Sequence, residues 1–127
     1  MDDEQLFKEI LNAAFAVHSA LGPGLLESAY ERCMRIELED RGIAAETEVC
    51  LPIDYNGRKV ESAFRVDLLV EKRIVVELKA TAELAPVHIA QILTYLKVLK
   101  RPSGLIINFN VPRLRDGIRR IYNNAKV

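Results

Sequence analysis

Residues 64–79 read FRVDLLVEKRIVVELK: two apolar runs, each interrupted by a carboxylate (Asp67, Glu77), with Lys79 closing the second and a charged turn, Glu71-Lys72-Arg73, between them. Side chains on a strand alternate faces, so Glu77 and Lys79 point the same way, roughly 7 Å apart, while Val76 and Leu78 point into the opposite layer. The same alternation groups Phe64, Val66, Leu68 and Val70 on one face of the preceding strand and leaves Arg65, Asp67 and Leu69 on the other. If the short turn pairs the two strands, Asp67 and Glu77 converge at one level of the sheet. Two nearby carboxylates repel, and a divalent cation removes the repulsion. The alternative, a buried Asp/Glu/Lys cluster that neutralises itself, costs several kcal/mol per ion before pairing and often yields no net stability.

Outward from this pair, the chain reads as an α/β protein. Leu6, Phe7, Ile10, Leu11, Ala14, Val17 and Leu21 recur at helical spacing behind an Asp cap. Gly22-Pro23-Gly24 stops that helix. A second runs from about Leu25 to Arg41, with Gly42 placed to cap it. Strands follow over Glu48–Asp54, Lys59–Val70 and Ile74–Lys79, the first two joined by Asn56-Gly57, whose residues tolerate the positive φ of a type I′ turn. Pro86 opens a helix from about Ala85 to Lys100. Leu105–Phe109 is a continuously apolar strand of the kind buried on both faces, and a last helix is expected from Leu114 to about Asn124. The order is helix, helix, three antiparallel strands, crossover helix, parallel strand, helix: a mixed sheet flanked by helices.

At 127 residues, 50% hydrophobic and 28% charged, the chain is most simply one domain over 1–127, large enough to bury about two-thirds of its unfolded surface without staples. The acidic start Met1-Asp2-Asp3-Glu4 is unlike a signal peptide, and no apolar run is long enough to span a bilayer, so a cytoplasmic location and no membrane partner are expected. Cys33 and Cys50 read as reduced, buried small hydrophobes, and with His18 and His88 they offer no zinc spacing. The net charge of zero hides an asymmetry: residues 1–48 carry eleven acids and four bases, residues 84–127 one acid and eight bases. The basic third, including Lys97, Lys100, Arg101 and Arg113, suits a phosphate backbone. Equally, its bases suit pairing with the acidic N-terminal helices across the fold.

Magnesium, or manganese in its place, fits two carboxylates because it takes hard oxygen ligands and fills its remaining positions with water and phosphate. Such an ion polarises a phosphodiester and acidifies water. Lys79 sets a compact charge beside it, to orient the water or to stabilise the phosphorane.

These residues resemble a known family. Gly24-Leu25-Leu26-Glu27-Ser28-Ala29-Tyr30 is similar to the motif that names the GxxExxY proteins of the PD-(D/E)XK nuclease-like superfamily. The likeness is collinear from Val17-His18 through Asp67, Glu77-Leu78-Lys79, Pro86-Val87-His88, Gln91, Tyr95-Leu96-Lys97 and Ile107-Asn108-Phe109 to Val111-Pro112-Arg113-Leu114. Val66 stands where the superfamily signature has proline. The resemblance implies a restriction-endonuclease-like αβββαβ core and metal-dependent cleavage of nucleic acid, with DNA expected over RNA. By the same resemblance Glu27 is a third metal ligand, although on its own it merely complements a helix dipole, with Tyr30 on its flank. Gln91 and Tyr95 resemble the pair that positions substrate or water after the catalytic strand. His88 shares their stripe, or sits on a solvated edge. His18 stands near the site by the match, or is a hydrogen-bonded core histidine. Gly22-Pro23-Gly24 presents amides to a phosphate, or is a plain turn. Two rivals to a nuclease remain: a nuclease-fold module that binds nucleic acid or protein without chemistry, and a domain that works only as a homodimer or with a larger partner.

Overall fold

In the computed structural model, which describes residues 1–124, two helices, α1 (Asp3–Leu21) and α2 (Glu27–Asp40), precede a long hairpin, β1 (Ala45–Tyr55) and β2 (Arg58–Val70). Strand β3 (Ile74–Lys79), helix α3 (Pro86–Leu99), strand β4 (Ser103–Asn108), a 3₁₀ turn over Leu114–Gly117 and strand β5 (Ile118–Tyr122) complete the chain. The five strands lie in the order β1-β2-β3-β4-β5. Only β3 and β4 run parallel, joined by α3, and every other neighbouring pair is antiparallel. No helix among the described residues is long and apolar enough to cross a membrane.

Local chemistry accounts for the ends of these elements. Asp2 and Gln5 form a capping box at α1: the Asp2 carboxylate accepts from the Gln5 N–H at 2.8 Å, and the Gln5 side chain accepts from the Asp2 N–H at 2.8 Å. Asn56 and Gly57 take φ of 51° and 73°, the paired left-handed values expected of the hairpin turn. Helix α2 starts two residues later than its apolar pattern suggests. Cys33 and Cys50 are both free, but Cys50 is exposed rather than buried, because it lies on the outermost strand.

The sheet is covered on both faces. Leu6, Phe7, Ile10 and Val17 of α1 and Tyr30, Met34 and Leu38 of α2 pack with Leu68, Val70, Val76, Leu78, Leu105 and Ile107. Ile92, Tyr95 and Leu96 of α3 pack with Val66, Leu69, Val75 and Ile106 on the other side. At Gly104 the neighbouring strand and α3 come so close that a Cβ would stand 2.8 Å from the Val75 carbonyl oxygen, 3.2 Å from Ile92 and 3.3 Å from Leu96.

The C-terminal segment departs from expectation. In place of a helix from Leu114 to Asn124, the chain makes one 3₁₀ turn and then adds β5 to the edge of β4. Leu114, Ile118 and Ile121 fit a helical stripe, but Ile118, Arg120 and Tyr122 also alternate as a strand, and tertiary contacts decide for the strand. Arg120 reaches across to α1, donating to both Glu4 oxygens at 2.9 and 2.6 Å, and its guanidinium lies 3.8 Å from the centre of the Phe7 ring. A Cβ at Gly117 would collide with the Asn108 carbonyl oxygen, so this residue permits the tight turn into β5.

Gly104→Ala should lower stability by about 1–3 kcal/mol, since the neighbour in the way is backbone and cannot rotate aside. Urea unfolding midpoints of the two proteins measure it.

Candidate active site

Strands β2 and β3 pair regularly at Val70↔Ile74, Leu69↔Val75 and Leu68↔Val76. One step further the ladder gives way to side chains: the Asp67 N–H donates to Glu77 Oε1 at 3.2 Å, and the Leu78 N–H donates to Asp67 Oδ2 at 2.9 Å. Each carboxylate takes a backbone donor of the other strand, so Asp67 and Glu77 are brought together as the turn between them suggests.

The strict alternation read from the sequence does not hold here. Phe64 and Val66 pack in the α3 layer together with Leu69, whereas Leu68 and Val70 pack in the α1/α2 layer. Strand β1 changes face at the same level, with Ala45 in one layer and Val49 and Leu51 in the other. Between them Glu48 adopts a left-handed φ of 52°, a conformation that interrupts the pleat. Because both strands switch together, the register Thr47↔Leu68, Val49↔Val66 is kept.

Glu77 is 3% exposed. Burial, and next the charge of Asp67, push its carboxyl up to about 9, against the pull of the Asp67 N–H and of Lys79. Both causes favour its protonated form. Lys79, two residues on, is half-buried, and its carbonyl accepts from the Phe109 N–H at 2.9 Å. Asn108, opposite Lys79 in the β3–β4 ladder, is 3% exposed. Its Oδ1 accepts from the Thr81 and Asn110 N–H groups at 3.2 and 3.1 Å, and its Nδ2 donates to the Thr81 carbonyl at 3.0 Å.

Glu27 lies exposed in the first turn of α2. Among the described residues, no three His, Cys, Asp or Glu side chains are grouped to hold a metal ion. The acid of α2 that feels Asp67 is Glu31, one turn later and half-buried. Burial foremost, then the charges of Asp67 and Glu48, raise its carboxyl to about 7; Arg65 opposes this and Glu27 adds to it. The sequence signal for Glu31 was its i,i+4 relation to Glu27, which sets both acids on one flank of the helix. Asp67 and Glu77 are two hard oxygen donors held together against burial and, next, their mutual repulsion, an arrangement that suits a divalent cation.

A sequence profile of the PD-(D/E)XK nuclease superfamily matches residues 4–121. The chain belongs to that superfamily. Its fold is similar to the crystal structure of SSO0001, with a TM-score of 0.58 at 21% identity, over 97% of this chain and 61% of that one. The chain thus spans less than two-thirds of that structure's length. No curated protein matches the chain in sequence. The mixed five-stranded sheet and its three helices are consistent with the superfamily's restriction-endonuclease-like core, and divalent metal ions are general among PD-(D/E)XK nucleases.

Within this PD-(D/E)XK frame the remaining candidates divide. Tyr95 stacks on Phe64 with ring centres 4.8 Å apart, and its hydroxyl is raised by burial and then by the charges of Glu77 and Asp67, which places it beside the pair. Gln91 is exposed on the same helix, one turn before Tyr95. Tyr30 is fully buried, stacks on Phe109 at 4.4 Å, donates to the Gly22 carbonyl at 2.6 Å and accepts from the Leu25 N–H at 3.2 Å. It holds the α1–α2 turn. His18 Nε2 lies 2.8 Å from the Val111 carbonyl oxygen, tying α1 to the loop after β4, and His88 Nδ1 accepts from the Ala85 N–H at 3.0 Å as part of the start of α3. Arg101 is paired with Asp3 at 3.0 Å, as Arg73 is at 3.2 Å. Lys97, Lys100 and Arg113 are exposed.

The raised carboxyl of Glu77 sets a pH dependence for the metal-free protein. The folded state holds the proton more tightly than the unfolded chain, so this contribution is fully present below about pH 4.5 and is lost as pH rises through about 9. Urea midpoints at about pH 5 and pH 8 should fall more for the wild type than for Glu77→Gln, which has no proton to lose.

Proposed function

We propose that the protein is a small magnesium- or manganese-dependent nuclease of the GxxExxY type, acting on DNA in preference to RNA as a single cytoplasmic domain. One observation carries this reading: Asp67 and Glu77 turn their carboxylates toward each other's strand at the level where the β2–β3 ladder opens, with Lys79 next on the same strand. The geometry of the Gly24–Tyr30 motif supports the finer family assignment. Gly24 takes a φ of 101°, and Tyr30 ties the turn down from below.

Asp67 and Glu77 would hold the ion. When bound, it supplies Lewis-acid polarisation of the phosphodiester and a more acidic water. Glu77 must release its proton to serve as a ligand, and Lys79 favours that release by stabilising the carboxylate. The Lys79 ammonium also offers a donor and positive charge to phosphate oxygens as they gain charge. Tyr95 closes the α3 side with a hydroxyl that keeps its proton and can donate; Gln91 stands further out to orient substrate.

Purified protein should cleave DNA only with added magnesium or manganese, and Lys79→Ala should lose at least about 10²-fold in rate while its circular dichroism and unfolding midpoint stay near wild type. Wild-type rates in that variant would sink the assignment. That both carboxylates already accept backbone amides of the facing strand supports a second reading, a module that keeps the fold without chemistry. Titration calorimetry separates the two: manganese uptake that disappears in Asp67→Asn supports the nuclease, and no uptake by the wild type supports the module.

A further inference from the structure

The cations expected to face nucleic acid lie in the basic C-terminal third, but the structure commits two of them elsewhere. Arg101 is bound to Asp3, and Arg120 to Glu4 and Phe7. Near the carboxylate pair stand Lys79 and Arg65, and further cations line a groove beside α2. This groove, of about 460 Å³, runs between α2 and β1, and Ser28, Arg32, Arg35, Thr47, Glu31 and Glu48 are among its lining residues. Glu31 and Glu48 mark its connection to the site: Glu31 feels the charge of Asp67, and Glu48 lies between the pairs Thr47↔Leu68 and Val49↔Val66 that flank Asp67.

Resting on the nuclease reading, we propose that a polynucleotide strand reaches Asp67 and Glu77 along this α2–β1 groove, with its phosphates seated on Ser28, Arg32 and Arg35. These three residues are spaced i, i+4 and i+7, so they form one stripe on the helix. At about 1.5 Å per residue the stripe is about 10 Å long, which is about three steps of a stacked strand at roughly 3.4 Å each. Arg32 forms no salt bridge among the described residues. Arg35 pairs only with Glu39, at 2.9 Å, and both side chains remain half exposed, so phosphate can replace the carboxylate at little cost. No side chain caps the N-terminus of α2, next to Ser28, so the positive end of the helix lies at the same end of the stripe. The carboxylate of Glu48, on the β1 side of the groove, repels phosphate and favours the arginine side.

Fluorescence anisotropy with labelled 20-nucleotide single strands of DNA and of RNA, in EDTA so that nothing is cut, tests this seat. Arg32→Ala with Arg35→Ala should weaken binding at least about 10-fold and reduce the slope of log K against log salt by about 1.4, the share of two phosphate contacts on a single strand. Replacing the same pair by lysine should restore most of the binding. Both positions are exposed, and an unchanged unfolding midpoint verifies that the variant is folded. No binding by the wild type, binding untouched by the double replacement, or loss confined to Lys97→Ala with Lys100→Ala would each overturn the seat. Arginine-dependent binding without cleavage in magnesium or manganese leaves the seat standing and counts against the nuclease reading instead.

Discussion

The exchange of hydrogen bonds between Asp67 and Glu77 is the constraint on which the rest of the structure turns. A sheet normally pairs each backbone N–H with a carbonyl of the neighbouring strand. Here the amides of Asp67 and Leu78 are satisfied by carboxylate oxygens, which lets the strands part without leaving buried donors unpaired. The opening must be covered on both sides, by Tyr95 from α3 and by the start of α2, where Tyr30 fixes the entering turn. The pleat reverses in β1 and β2 at this same level, so the hairpin can continue past the site while still burying Phe64 and Val66 against α3.

A second constraint is the distribution of charge. The acidic first half and basic last third are partly two sides of one set of contacts: Asp3 with Arg73 and Arg101, Glu4 with Arg120. Exposed ion pairs of this kind contribute little singly. Their joint effect is to fix the N-terminus of α1 against β5 and the starts of β3 and β4, and the stacking of Arg120 on Phe7 adds apolar contact to the charge. The C-terminal bases are thus not a uniform electrostatic surface.

Much of this was legible in the sequence. The hairpin followed from Asn56-Gly57, the start of α3 from Pro86, and the meeting of Asp67 with Glu77 from the length of the turn between their strands. What failed depended on contacts that local pattern does not record. Ile118–Tyr122 satisfies helical and strand periodicity alike, and what separates them is its pairing with β4 and the contacts of Arg120 with α1. The face change at Asp67 depends on a left-handed glutamate at position 48, a residue type with no preference for that conformation. Glu31 lies outside the motif that singled out Glu27, and its exposure to the charge of Asp67 depends on the direction of α2 in space. For Arg101 the sequence left two readings open, and its pairing with Asp3, 98 positions earlier, follows the one that joins the basic third to the acidic N-terminal helices.

The three hydrogen bonds of Asn108 have a consequence for how this protein meets anything that comes to Lys79. Two of them tether Thr81, just beyond the end of β3, to the neighbouring strand from within the core. Ordering backbone costs about 1–2 kcal/mol per residue. Because the segment leaving Lys79 is already anchored, that entropy loss falls on folding, and an arriving molecule meets a rim whose shape is settled in advance.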